Sequence, residues 1–286
     1  MKLLKLTNDY VFKRVFGEAD DTEIVAGFLS DVLGLAQEEF DEIAVENPII
    51  PGDSIDLKTS ILDLRLKMKS GEMINVEMQV ARDVSLVERL LCQAGKLITS
   101  QIPKGIHGYQ QLKRTIVIAI LNNNHFNDSS AYHKIYRLYD QKNHSTMTDL
   151  LEFHMLELNK VPQEGDNQPV YDWCKAFIFS REEDVEALEQ LKSEAPKLEK
   201  ALGKLKVLSR DTQAQEAYDN RERAIKQFES NLIAERILGK AEGIAEGIMK
   251  TAKKLLEIGL SVEQVVEGTG LSVPEVEKIQ AEIKLK

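Results

Sequence analysis

Cysteine is scarce. The chain has two, Cys92 and Cys174, which form no close-spaced ligand pair and sit among apolar neighbours where reduced thiols are common. A disulfide framework is therefore not expected, and a reducing cytoplasm fits best. Long apolar runs are also missing: the opening Met1-Lys2-Leu3-Leu4-Lys5-Leu6 is too short for an export signal, and no later stretch reaches the length of a bilayer span. No membrane association is expected. Positive charge is in deficit, with 37 Lys and Arg against 47 Asp and Glu and a net charge of −10. Phosphate binding is driven by basic side chains displacing counterions, so a protein that coats nucleic acid through a global positive field is excluded. Contact with DNA has to be local or metal-assisted.

What is present is ordinary globular material, 43% hydrophobic and 29% charged over 286 residues, enough for one sizeable core and an appendage. Apolar residues recur at helical spacing at Val11, Phe12, Val15 and Phe16, and again at Ile24, Val25, Phe28, Leu29, Val32 and Leu33. Gly17 and Gly34 follow where helices commonly stop. From residue 61 the period changes to two. Leu62, Leu64, Leu66 and Met68 alternate with Asp63, Arg65 and Lys67; beyond Ser70-Gly71, Ile74, Val76, Met78 and Val80 alternate with Asn75, Glu77 and Gln79. Residues 61–80 thus read as a β-hairpin with one apolar and one polar face. A helix follows over Leu86, Leu90, Leu91, Ala94, Leu97 and Ile98, then a buried strand at 115–121, with further strand candidates at 151–158 and 176–179.

The order of elements predicts an α/β fold, a mixed central sheet flanked by helices, closing near Ser180. Residues 181–247 are rich in Glu, Lys, Leu and Ala and read as a helical linker or oligomerisation region, with Gly243 and Gly247 marking a weak helix or hinge. Residues 248–286 contain two capping-box candidates, Ser261 with Gln264 and Ser272 with Glu275, and read as a small helix-turn-helix-like tail. Its last helix carries Glu275, Glu277 and Glu282, which would repel phosphate, so subunit or interdomain contact is expected there rather than DNA reading.

Keeping both apolar sets of the hairpin together requires paired residue numbers with an even sum. A three-residue loop, Ser70 to Glu72, gives a sum of 142 and sets Asp63 opposite Gln79 and Arg65 opposite Glu77. Asp63 and Glu77 then become diagonal neighbours, roughly 7–8 Å apart at the backbone, within joint reach of one ion. Two carboxylates and a backbone carbonyl suit a hard divalent cation. The plainer reading is a solvated polar face with Arg65 and Glu77 as a surface ion pair, the usual state of an antiparallel hairpin.

The run Lys58-Thr59-Ser60-Ile61-Leu62-Asp63-Leu64-Arg65, continued through Gly71 to Ile74-Asn75-Val76-Glu77-Met78-Gln79, resembles the core signature of the PD-(D/E)xK nuclease family of transposase-like proteins, the recombination-promoting nucleases. The resemblance extends to Asn8-Asp9-Tyr10-Val11-Phe12-Lys13-Arg14-Val15-Phe16-Gly17, to Gly108-Tyr109 with Leu112-Lys113-Arg114-Thr115-Ile116-Val117-Ile118, and to the tail at Ala252-Lys253-Lys254-Leu255-Leu256 and Thr269-Gly270-Leu271-Ser272. It implies a restriction-endonuclease-like core that hydrolyses DNA phosphodiester bonds with Mg²⁺ or Mn²⁺. Asp63, Glu77 and the backbone carbonyl of Met78 match the metal ligands, and Gln79 the third motif position. Gln79 stands where the wider superfamily has lysine. Asp9 matches a first-helix acidic position near the metal, but the plainer reading, a surface partner for Lys13 at i+4, comes first. Arg89 and Gln93 are the expected substrate contacts, and a homo-oligomer formed through the helical region is expected because two sites are needed to cut both strands together. The alternative is a nuclease fold that binds DNA or protein with little turnover. None of the five histidines is assigned a role.

Overall fold

The computed structural model describes residues 3–40, 42–46, 64–79, 84–102, 108–127 and 129–284. Helix α1 (Asp9–Phe16) starts at Asn8, whose side chain accepts from the Tyr10 and Val11 amides, and stops at Gly17. A Cβ at Gly17 would lie 2.7 Å from the Lys13 carbonyl oxygen and 2.9 Å from Leu64, so glycine lets the helix end press against the sheet. Helix α2 (Glu23–Leu33) ends at Gly34, which takes the left-handed conformation at φ 66°.

Among the described residues the sheet has six strands: β1 (Ala44–Val45), β2 (Leu64–Lys67), β3 (Met73–Gln79), β4 (Thr115–Leu121), β5 (His133–Tyr139) and β6 (Thr146–Glu157). Their spatial order is β1-β2-β3-β4-β6-β5. The pairs β1–β2, β2–β3 and β5–β6 are antiparallel, whereas β3–β4 and β4–β6 are parallel. A parallel pair needs a crossover connection, and helix α3 (Leu86–Ser100) lies in the one between β3 and β4. This is the mixed, helix-flanked sheet expected of a restriction-endonuclease-like fold.

The two faces of the sheet feed separate cores. Leu64, Leu66, Ile74, Val76, Met78, Ile116, Ile118 and Ile120 pack with α1, α2 and helix α4 (Tyr171–Glu182). Phe12, Phe16, Phe28, Trp173 and Phe177 form a cluster of stacked and edge-on rings there, each worth about 2–3 kcal/mol by burial alone. On the other face Val117, Ala119, Leu121 and Met155 meet Leu86, Leu90 and Ala94 of α3.

Several expectations are corrected. Residues 176–179 lie inside α4, not in a strand. Trp173, Ala176, Phe177 and Ser180 are buried at helical spacing, a period that a four-residue apolar window is too short to reveal. Gly243 and Gly247 do not interrupt the chain: helix α7 (Thr212–Glu257) continues through both. The hairpin register also differs. Leu64 pairs with Val76, Arg65 with Asn75 and Lys67 with Met73, a sum of 140 rather than 142. The loop is Lys69 to Gly71, closed by Gly71 N–H donating to Met68 O and Met68 N–H to Glu72 O, both at 2.9 Å. Gly71, at φ 94°, occupies the position that a three-residue hairpin loop reserves for glycine. Strand β5, an exposed edge rich in charged and aromatic residues, was not expected from the sequence.

Ser180, where composition suggested closing the first domain, is buried in α4, and its hydroxyl accepts from the Leu6 amide. Helices α5 (Val185–Glu194) and α6 (Glu199–Leu208), with Ala214 and Tyr218 of α7, join the same core. The first compact unit spans residues 1–224 and the second 225–286. In the second, α8 (Val262–Thr269) and α9 (Val273–Lys284) pack with the end of α7 around Ala252, Val265 and Val276. Ser261 and Gln264 form the expected capping box, and the Glu275 carboxylate accepts from both the Ser272 amide and its hydroxyl. Among the described residues no helix is long and apolar enough to cross a membrane.

Candidate active site

Strand alternation places Asn75, Glu77 and Gln79 on the face opposite Ile74, Val76 and Met78. The plainer reading of the polar face as solvated holds on β2, where Arg65 and Lys67 are exposed, but not on β3. Asn75 is 1% exposed and Glu77 is fully buried, because helix α3 covers this face of β3 and sets Arg89 against Glu77. Glu77 is in register with Ala119 of β4, whose side chain belongs to the α3-facing core.

Helix α3 builds the opposing wall. Leu86, Leu90, Ala94 and Leu97 are its buried stripe. Arg89 and Gln93, each one position before a stripe residue, therefore share the flank that meets β3. Arg89 Nη2 lies 2.8 Å from Glu77 Oε1 and donates to Gln79 Oε1 at 2.6 Å. A carboxylate buried this completely requires a compensating cation, since an unpaired charge there costs several kcal/mol. The other flank of α3 is apolar, where Val87, Leu91, Phe126, Tyr136 and Phe153 border a groove of about 220 Å³.

Asn75 and Gln93 have unmet hydrogen-bonding capacity among the described residues. Neither amide atom of Asn75 has a hydrogen-bond partner among the described residues, nor does Gln93 Oε1. Orphaned buried amides are rare and call for an ordered water or ion. Among the described residues no group of three or more His, Cys, Asp or Glu is placed to share a metal. Asp63, the second expected carboxylate, lies outside the described residues. Met78 sits in β3 between Glu77 and Gln79, with its side chain 3% exposed in the opposite core.

Asp9 does not lie on the surface, and neither does Lys13. Asp9 is 5% exposed, and both its carboxylate oxygens accept from Arg221 of α7, with Nε 2.9 Å from each. No sequence signal links two residues so far apart.

Sequence reasoning also passed over a second polar cluster, on the sheet face turned away from Glu77. Glu152 and His154 of β6 stand in register with Ile116 and Ile118. His154 Nε2 is 2.6 Å from Glu152 Oε1, His154 Nδ1 is 2.9 Å from His133 Nε2, and Arg114 and Arg137 both donate to Glu152. Burial works to raise the Glu152 pKa, but the hydrogen bonds from His154 and Arg137, with the Arg114 charge, outweigh it and hold the group at about 2. Burial, reinforced by the neighbouring His154, pushes His133 down to about 4. The alternation of β6 carries a trace of this cluster, in that polar residues occupy an inward face.

Lys160 and His125 belong to a loop tether. Glu157 accepts from the His125 and Phe126 amides and from Lys160 Nζ.

No curated protein and no solved structure is a significant match to the chain. One family model does match, over residues 6–235, and is described as PD-(D/E)XK nuclease family transposase. That span takes in the sheet, α1 to α6 and the first half of α7, and with it Glu77, Gln79 and Arg89, so the chain belongs to the PD-(D/E)XK nuclease family transposases.

Proposed function

We propose that the chain is a divalent-metal-dependent endonuclease that hydrolyses DNA phosphodiester bonds, serving recombination or the movement of mobile DNA. The observation that carries this reading is Glu77, a fully buried carboxylate on β3 whose neighbours on the same face include the orphaned amide of Asn75. Asp63 precedes Leu64, the first residue of β2, in the chain. In the proposal Asp63, Glu77 and the backbone carbonyl of Met78 hold Mg²⁺ or Mn²⁺. Asp9, whose carboxylate is engaged by Arg221, stays outside that set. When bound, the ion supplies polarisation of the phosphodiester and a lowered pKa for the attacking water.

The chain's own groups do the positioning. Glu77 is held rigid by the strand and by Arg89. Gln79 has no titratable proton, so it can orient a water or a phosphate oxygen but cannot act as a base. Gln93 is the substrate contact on α3. Arg89, expected to share that task, is held against Glu77 and Gln79. Pairing of two chains through the helical region would bring two sites to one duplex. Phe228, Leu232, Ile237 and Leu238 of α7, all large apolar side chains left exposed, support it.

A second reading, DNA or protein binding without turnover, is favoured by the neutral Gln79. One assay separates the two. Purified full chain is incubated with supercoiled plasmid in Mg²⁺ or EDTA, beside Asp63→Ala. Cleavage that needs Mg²⁺ and is lost in Asp63→Ala supports the enzyme. Retention of plasmid in a gel shift without nicking supports the binding module.

A further inference from the structure

We propose that Asn75 is a positioning residue for Gln93: through an ordered water held between β3 and α3 it keeps the Gln93 carbonyl turned inward and the amide NH₂ turned out toward a phosphate oxygen of DNA. This rests on the reading of Gln93 as the substrate contact. Asn75 is in register with Val117 of β4, and Val117 packs with Leu90 and Ala94 of α3, so the Asn75 side chain lies beneath that helix. Helix and strand run in opposite directions. Arg89, near the start of α3, meets Glu77 and Gln79, whereas Gln101, just past its end, donates to Thr115, the register partner of Met73. Four helical residues, from Arg89 to Gln93, advance about 6 Å, and two strand residues, from Glu77 back to Asn75, about 6.6 Å. Gln93 therefore stands over Asn75 as Arg89 stands over Glu77.

The two levels differ in how they are satisfied. Glu77 has a cation against it. Asn75 has no hydrogen-bond partner at either amide atom among the described residues, and neither has Gln93 Oε1, which is buried as well. The two amides therefore do not bond each other directly. Set at one level with donors and acceptors both unmet, they suit a small neutral molecule that can donate and accept, which is what a buried water does. A water that accepts from Asn75 Nδ2 donates to Gln93 Oε1, and so fixes the inward end of the Gln93 amide as the oxygen. Gln93 as a whole is only half-buried, and its Nε2 does not share the burial of Oε1. The NH₂ end thus faces outward as a pure donor, the polarity that holds a phosphate oxygen. With an apolar side chain at 75 the inward preference is lost, and position 93 presents donor and acceptor alike.

The test measures binding of a short fluorescent DNA duplex by the full chain, with CaCl₂ in place of MgCl₂. Asn75→Leu, similar in size but apolar, is expected to bind about tenfold more weakly than wild type, Gln93→Leu equally so, and the double variant no more weakly than Gln93→Leu, because both changes break one device. No cation is lost, so the dependence of affinity on salt is expected to keep its wild-type slope, and a flatter slope in Asn75→Leu overturns the proposal. Asn75→Ser, which keeps a donor and an acceptor, is expected to stay within about threefold of wild type. Wild-type affinity in Asn75→Leu beside weakened binding in Gln93→Leu overturns the role of Asn75 and leaves Gln93 as a substrate contact. Wild-type affinity in both, or no duplex binding by wild type, overturns the reading of Gln93 itself, and this inference with it. If Asn75→Leu fails to fold, a crystal structure of the wild-type chain decides. An ordered water within about 3.2 Å of the Asn75 amide and of Gln93 Oε1 supports the proposal, and a direct bond between the two amides overturns it.

Discussion

Arg221 grips Asp9 through both carboxylate oxygens, a contact 212 positions apart in the chain that ties the first helix to the start of α7. Next to it Asn8 Nδ2 donates to Glu222 Oε1 at 2.9 Å. Both partners of the ion pair are largely buried, with side chains 7% and 13% exposed. Removing one deprives the other of a buried partner. Asp9→Ala is expected to lose about 3 kcal/mol of stability, read from urea unfolding, with Mn²⁺ affinity of the folded protein unchanged. Wild-type stability in this variant would show that the pair is idle, and lost Mn²⁺ affinity would return Asp9 to the metal site.

Gly71 controls the register on which Glu77 depends. Its φ of 94° is costly for any side chain, and a Cβ there would stand 3.2 Å from Lys113 Cγ. Gly71→Val is expected to cost about 2 kcal/mol, because the turn must rearrange or strain. A urea midpoint equal to wild type would contradict that turn geometry.

The histidine pair makes stability depend on pH. His133 titrates at about 4 in the folded chain against an ordinary 6.5. Between those values the unfolded chain binds more protons, so stability is fully present above about 6.5 and declines as pH falls toward 4. The decline is about 2 kcal/mol over that window. Glu152 behaves differently: its depressed value keeps its contribution until pH falls below the ordinary 4.5 toward about 2. Urea midpoints at pH 7 and pH 4.5 should differ clearly in wild type and much less in His133→Gln. The same pH slope in both would refute the assignment.

The hairpin shows what the sequence could and could not reveal. Alternation from Leu64 to Gln79 identified both strands and the residues sharing each face, because period two is a geometric property of strands. Parity required only an even sum, so 140 and 142 were equally allowed, and the choice rested on where glycine's left-handed φ was needed. Nor does alternation distinguish solvent from a covering helix, which is why the polar face of β3 read as exposed while Glu77 is buried beneath α3. Arg89 was legible as a residue near the site, but its grip on Gln79 depends on how α3 packs. The Asp9–Arg221 pair was invisible, and the Glu152–His154–His133 chain left only a trace in the alternation of β6, for a related reason: each contact between elements is decided by tertiary packing.

The central claim is that Glu77 is a metal carboxylate of a DNA-cutting site, and the cleavage rate of Glu77→Gln tests it most directly. This substitution keeps the size of the side chain and removes its charge. With supercoiled plasmid and Mg²⁺, wild type is expected to nick or linearise the DNA, and Glu77→Gln to be slower by at least about 100-fold while unfolding as cooperatively as wild type. Equal cleavage rates for the two proteins would contradict the account.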